Sequence, residues 1–336
     1  MKHANIKDVA KSAGVSISTV SRYLANPSSI KPTFASAVEK AINELKYIPN
    51  PFAQNLKSEH TNNIAIIIPD ISNQFFSEAC KALCTVLYRN KYFVMICDTD
   101  DNPEKEQYYI NEMIKSRAAG IILVTCGQNT EFVKTVVNAG HRIVLLDRME
   151  PSIKVDTVCA DKYRAGYDLA KHLVRKGHRH YAILSGSENS INMQFIISGI
   201  KNAFAESSVS INESCIITNL RTKESAAHEF ELLLANKKNL SCVIACNSVL
   251  LDGIVLAANR LQLNIPEDCE IAGFSIDDPR YAYPFPVPAI MEIPAQLGAE
   301  VGELMLRLLA SESDTSVAKQ ILLNCQLILS TQVHSY

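Results

Sequence analysis

From Ile64 onward, unbroken apolar runs alternate with amphipathic stretches, and this restricts the possible folds more than any other feature of the chain. The apolar runs are Ile64–Ile68, Tyr92–Cys97, Gly120–Val124 and Ile143–Leu146, followed by Tyr181–Leu184, Cys215–Thr218, Cys242–Ala245 and Glu270–Phe274. Between them lie stretches with helical periodicity, among them Phe75–Arg89, Pro103–Ser116, Lys162–Lys176 and Leu250–Leu261. A strand with no polar alternation has no face for water, so it belongs in a parallel sheet covered on both sides by helices. Two sets of four such strands predict an α/β body of two doubly wound parallel-sheet lobes. Ligands of these sheets bind at the carboxyl ends of the strands, and between the lobes where there are two. At 336 residues the chain is too long for one ordinary core. Its 47% apolar and 20% charged residues are those of a globular protein. No run approaches the roughly 18 apolar residues of a membrane span. The first residues lead into an amphipathic helix rather than an apolar leader, so a cytoplasmic location without a membrane partner is expected.

Residues 1–49 read differently. Ile6, Val9, Ala10 and Ala13 form one apolar helical stripe, with Asn5 as a plausible N-cap and Gly14 placed to leave the helix. Ser16 can cap a second helix that turns Val20 and Leu24 inward and Ile17, Ser18, Ser21 and Arg22 outward. Short outward side chains allow close approach, and an arginine can bond a guanine edge or a phosphate, as in a helix-turn-helix head. The same spacing also fits a small helical hairpin with solvated serines. Val38, Ala41, Ile42 and Leu45 mark a third helix. The first sixty residues carry a charge of +4 and the remainder −6, a basic head on an acidic body. In residues 50–60, Asn50 and Pro51 can start a helix of only about two turns, too short to stand alone in water.

The ten cysteines lie largely in apolar runs and are read as reduced, buried thiols. Cys80 with Cys84, and Cys242 with Cys246, have helical i, i+4 spacing, but the histidines a metal site would need are absent. No metal and no cofactor is expected. The chain has no Gly-x-Gly-x-x-Gly, no P-loop and no Ser/His/Asp motif in a recognisable frame, which argues against an enzyme.

Several motifs carry a resemblance. Ile6-Lys7-Asp8-Val9-Ala10, Gly14-Val15-Ser16, Ser18-Thr19-Val20-Ser21-Arg22, Tyr47-Ile48-Pro49-Asn50 and Pro69-Asp70-Ile71-Ser72-Asn73 occur in this order. Gly120-Ile121-Ile122-Leu123, Arg175-Lys176-Gly177-His178 and Ile265-Pro266-Glu267-Asp268 follow. On these the chain resembles the lac repressor family of bacterial transcription regulators over essentially its whole length. The resemblance implies a helix-turn-helix head over residues 1–49, a hinge helix and linker over 50–60, and a periplasmic-binding-protein-like effector and dimerisation domain over 61–336. It implies a homodimer on a pseudo-palindromic double-stranded operator, with Ile17, Ser18 and Arg22 reading base edges. Ser16, Thr19, Ser21 and Asn50 would contact phosphate. Asn26, Tyr47 and Ala53 complete the implied DNA-contacting set. Pro51–Lys57 would be the hinge helix, with Leu56 wedged between central base pairs. No leucine heptad follows the last strand, which favours a dimer over a tetramer.

The departures from the family pattern fall in two places. At the third helix the usual capping Ser and Thr-Arg are replaced by Lys31-Pro32-Thr33-Phe34-Ala35. In the cleft, Ile196 stands where the family has an arginine, Ser248 and Ser275 stand where it has acids, and Ile293 precedes Pro294 where it has glutamine. Asn73, Phe75, Phe76, Asp147, Arg148 and Asn192 remain, and with Ser248 and Ser275 they form the expected effector site. Asp147 and Arg148 could instead simply pair with each other. The expected function is a transcription regulator, a repressor of a metabolic operon, controlled by a small effector such as a sugar or sugar derivative. The alternative is a regulator of the same fold whose cleft is degenerate and which answers to a protein partner or to no ligand.

Overall fold

The computed structural model describes residues 4–47, 61–236, 239–311 and 318–329. The hinge expectations at Asn50, Pro51–Lys57, Ala53 and Leu56 lie outside the described residues. The chain divides into two compact units, Met1–Thr61 and Asn62–Tyr336.

In the first unit, α1 (Ile6–Ala13) begins with a capping box: the Asn5 side chain accepts from the backbone of Lys7 and Asp8, and Asp8 accepts from Asn5 N at 2.9 Å. Gly14 closes α1 at φ +64° with open space where a Cβ would stand, so conformation rather than crowding selects glycine there. Ser16 caps α2 (Ile17–Ala25) by accepting from Thr19 N, and Asn26 caps a short 3-10 turn at Pro27–Ser29. The third helix, α3 (Pro32–Leu45), starts at Lys31 with no side-chain cap, relying on Pro32 in its first turn. Val9, Ala10, Val20, Val38 and Ala41 form the core of this unit. Leu45, expected on the inward stripe, is exposed at the last turn of α3 and takes no part in the head core.

The second unit contains the two lobes. Lobe 1 is built in chain order from β1 (Asn63–Ile68), α4 (Gln74–Arg89), β2 (Phe93–Asp98), α5 (Pro103–Lys115), β3 (Gly120–Leu123), α6 (Thr130–Asn138), β4 (Ile143–Leu146) and β5 (Asp156–Ala160). Lobe 2 takes over with α7 (Lys162–Arg175), β6 (Tyr181–Leu184), α8 (Ile191–Glu206), β7 (Ile216–Ile217), α9 (Lys223–Asn236), β8 (Cys242–Ala245), α10 (Ser248–Arg260), β9 (Glu270–Ser275), α11 (Pro279–Ala282) and β10 (Ala289–Met291). The chain then returns to lobe 1 for α12 (Pro294–Ala310) and β11 (Gln320–Leu323), and crosses again for β12 (Gln326–Ile328). The two polypeptide lobes are therefore joined by three crossings.

The strand orders are β11-β5-β4-β3-β1-β2 and β12-β10-β9-β8-β6-β7. Every pairing is parallel except β10 with β12. In each sheet the winding reverses once, between β1 and β3 and between β6 and β8, and crevices open at the strand ends there. The apolar strands are buried as the sequence requires: Ile64–Ile68 and Cys242–Ala245 have no exposed surface. α12 closes lobe 1 with Leu297, Val301, Leu304 and Met305.

Several boundaries differ from expectation. α4 and α10 begin one and two residues early because Asn73 and Asn247 cap them, accepting from Phe75 N and Leu250 N. β7 keeps only two residues, as Cys215 ends a 3-10 turn. Cys242 lies on a strand, so it and Cys246 share no helical face, whereas Cys80 and Cys84 do share α4. None of the ten cysteines is in a disulfide.

Candidate functional site

In the head, α2 presents the predicted surface. Ser16, Ile17, Ser18, Arg22 and Asn26 are exposed, and Thr19, Ser21 and Tyr47 are half-buried. The Ser16 hydroxyl is 2.7 Å from that of Ser18 and 2.8 Å from that of Thr19, so three short polar groups cluster at the helix start. The Arg22 Nε donates to Ser18 O at 3.4 Å, laying the arginine stem along the outer face. Two residues have structural duties: Asn26 Oδ1 accepts from Ser28 N, and Tyr47 packs on the head core. Phe34 is exposed at the start of α3 and offers no hydrogen bond to a phosphate.

The cleft of the second unit forms where the two crevices meet. A cavity of about 140 Å³ is lined from lobe 1 by Asn73, Phe75, Phe76, Asp147 and Arg148. From the lobe 2 side come Lys162, Asn192, Ser248 and Glu292. A neighbouring chamber of about 170 Å³ shares Arg148 and Ser190 with it. A larger hollow of about 500 Å³ lies at the amino ends of β6 and β8, but its Arg179 is already committed to the carbonyls of Val174 and His178. Among the described residues no group of three metal-ligating side chains occurs.

Asp147 follows β4 in a left-handed turn at φ +63°, a conformation that aspartate tolerates better than most residues and that active sites often retain. Arg148 N closes the turn on Leu146 O at 2.7 Å. Asp147 and Arg148 do not pair with each other. Arg148 Nη1 donates to Asp101 Oδ1 at 2.5 Å and to Thr125 O at 3.0 Å. Asp147 Oδ2 accepts from Asn192 Nδ2 at 2.9 Å across the cleft, while its buried Oδ1 has no hydrogen-bond partner.

Lys162 opens α7 directly after the first crossing, and Glu292 precedes the second. Lys162 Nζ lies 2.8 Å from Glu292 Oε1 and 3.9 Å from Asp147 Oδ1, and all three side chains are buried. Burial works against the lysine's charge, but the carboxylates of Glu292 and Asp147 outweigh it and hold Lys162 above its ordinary range. Its ammonium also sits 5.3 Å from the centre of the Phe75 ring. Phe75 and Phe76 meet edge to face at 5.3 Å and belong both to the lobe 1 core and to the cavity wall. At the third crossing Cys325 is raised to about 11, chiefly by burial, with Lys162 drawing it down and Glu292 and Asp147 pushing it up.

Of the expected cleft residues, Asn73, Phe75, Phe76, Asp147, Arg148, Asn192 and Ser248 line one cavity. Ser275 does not: it is buried, its hydroxyl donating to Asp277 O at 2.7 Å and lying 2.9 Å from the Tyr283 hydroxyl. Ile196 is fully buried in the lobe 2 core, on the face of α8 that meets α7. Lys162, Ser190, Asn247 and Glu292 are polar wall residues that sequence reasoning missed. No local signal marks Lys162, which stands two residues after β5 at the start of an amphipathic helix, where a lysine looks solvated.

A two-lobed sheet body of this topology with a helix-turn-helix head defines a class of DNA-binding regulators. The chain matches the model of bacterial regulatory proteins of the lacI family over residues 5–50, and that of the periplasmic binding protein domain over residues 64–283. It is 33% identical to the HTH-type transcriptional regulator DegA of Bacillus subtilis, over 80% of each chain. It is 30% identical to catabolite control protein A of Priestia megaterium, over 81% of this chain and 82% of that one. In fold it matches the lac repressor dimer bound to operator and the anti-inducer ONPF with a TM-score of 0.86, covering 99% and 100% of the two chains at 20% identity. The chain belongs to the lacI family and is a DNA-binding transcription regulator. The relatives are regulators rather than enzymes.

Proposed function

We propose that this protein is a cytoplasmic, homodimeric repressor that releases or engages its operator when a small metabolite, a sugar or sugar derivative, occupies the interlobe cleft. The supporting observation is the outer face of α2, where Ile17, Ser18 and Arg22 stand exposed on a helix fixed by Val20. Arg22 would take a guanine edge. Ile17 can offer only apolar contact, so a thymine methyl suits that position. Ser16, Thr19, Ser21 and Asn50 would set phosphate register, Leu56 would act in the minor groove, and Asn26, Tyr47 and Ala53 would complete the DNA-contacting set.

Dimerisation has support in lobe 1. β2 is a sheet edge, and Phe93 (66% exposed), Ile96 and, at the end of α4, Tyr88 (76%) leave an apolar strip around it. A second copy of the chain fits this edge. The unpartnered, buried oxygen of Asp147 favours a cleft that takes a ligand over a degenerate one.

The test is selection of bound DNA from a random pool, followed by affinity measurements at fixed salt. Arg22→Ala should cost about 1–3 kcal/mol on the selected site and relax discrimination at one base pair. Unchanged affinity and unchanged preference would refute the assignment of α2 as the reading helix.

A further inference from the structure

The charged groups at the cleft floor specify more than a place for a ligand. Four charged side chains line the cavity: Asp147, Glu292, Lys162 and Arg148. Arg148 is committed to Asp101 at 2.5 Å, and Lys162 to Glu292 at 2.8 Å. Counting Asp101, three carboxylates face two cations, so the floor keeps one negative charge. That charge falls to Asp147. One of its oxygens is satisfied by Asn192, and the other is buried without a donor.

A buried acceptor left unmade carries a desolvation cost that a ligand donor would remove. The neighbouring ammonium narrows the choice of donor. Lys162 Nζ is 3.9 Å from Asp147 Oδ1, too far for a hydrogen bond and about the gap that one oxygen can bridge. A hydroxyl placed there donates to Asp147 and accepts from Lys162 at once. A ligand ammonium could donate but not accept, and would face the like charge of Lys162. A carboxylate or phosphate could accept but not donate, and would meet the surplus negative charge.

We propose that Lys162, held by Glu292, is a specificity-determining residue of the cleft, which with Asp147 selects an uncharged, hydroxyl-bearing ligand and excludes its anionic counterparts. This rests on the reading of the cleft as the effector site and deepens it. Lys162 and Glu292 lie beside crossings between the lobes, so a hydroxyl that joins Lys162 to Asp147 also ties the ligand to a segment that links the lobes.

Calorimetric titration of the full chain tests this with matched probes: glucose, galactose and ribose against glucuronate, galacturonate, ribose 5-phosphate and glucosamine. Neutral members should bind, with each charged counterpart weaker by about tenfold or more. Lys162→Met alone strands two buried carboxylates and invites unfolding, so the paired variant Lys162→Met with Glu292→Leu is the informative one. It replaces a buried ion pair by apolar groups, a change that proteins commonly tolerate. It should melt as a folded protein and bind the neutral probe about 10- to 100-fold more weakly. The proposal is overturned if a charged counterpart binds the unmodified protein as tightly as the neutral sugar. Equal affinity of the folded paired variant, or silence of the whole panel, overturns it too. Binding of a neutral probe with no change in affinity for the selected DNA would instead sink the effector reading and leave the specificity inference standing.

Discussion

Gly199 on α8 is the most exacting test of how the cleft is held. A Cβ built there would stand 2.1 Å from the carbonyl oxygen of Tyr163 and 2.9 Å from the backbone nitrogen of Tyr167, both on α7. The reciprocal site on α7, Gly166, would meet Ile196 O at 2.4 Å. The two helix backbones are therefore in direct contact, and the listener to any added methyl is main chain that cannot rotate away. Alanine would gain about 1 kcal/mol of helix propensity over glycine. Against this, overpacking costs typically about 1–3 kcal/mol, and a backbone neighbour places this case at or beyond the upper end. The net loss is about 2 kcal/mol, or a fall in Tm of about 4–8 °C for a domain of this size. Circular dichroism melts of Gly199→Ala measure it directly. Gly302→Ala is the control, because its added methyl meets the Val86 side chain at 3.1 Å, and a side chain can shift. A Gly199→Ala protein that melts with or above the parent, or below it by no more than the control, would refute the close-contact reasoning. Since α7 and α8 begin next to Lys162 and Asn192, separating them should also weaken cleft binding.

Two further expectations concern charge and thiols. Burial pushes the Glu270 carboxyl up, but hydrogen bonds from His178 and Lys176 outweigh it and hold the group below its ordinary 4.5. A carboxylate held low in the folded state stabilises the protein above its unfolded value, and that contribution is lost as pH falls through the folded value. The Tm gap between the parent and Glu270→Gln should therefore be widest near neutral pH and shrink below about pH 4.5; a gap independent of pH would refute the account. Burial raises Cys80, Cys159, Cys246 and Cys269 to about 12, and Cys126 to about 11. With Cys325 they should resist a disulfide reagent at pH 8 until the chain is unfolded. Rapid labelling of any of these six in the native protein, located by mass spectrometry, would contradict that.

The fold was legible where local pattern and global role agree. β1, β3, β4, β6, β8 and β9 are central, buried on both faces and read as continuous apolar runs. β5 begins with Asp156 and Thr157, and β10 has three residues, so neither shows a period of its own. β11 and β12 lie in one stretch, Gln320–Ile328, whose halves join different sheets. Nothing local to that stretch records the change of partner. The site divides in the same way. Asp147, Asn73 and Asn192 stand at strand ends or helix starts and could be read from position. Lys162 could not, because a lysine at the start of an amphipathic helix looks solvated, and its partner Glu292 is 130 residues away. Polar anchors are lost at Ile196, Ser248 and Ser275, but the fold brings the buried Lys162–Glu292 pair to the same cleft.

The three crossings also bear on how the chain can be made. Lobe 1 is not a continuous segment: its sheet lacks β11, and its core lacks Leu297, Val301, Leu304 and Met305, until the last tenth of the polypeptide has been synthesised. During translation the strands β1–β5 would emerge with an apolar face uncovered while all of α7–β10 is still being added. Lobe 2 has all but its edge strand β12 by Met291 and can close first. A nascent chain halted before Pro294 should thus hold a nearly complete second lobe behind an open first one. The lobe that begins first in sequence would then be the last to close.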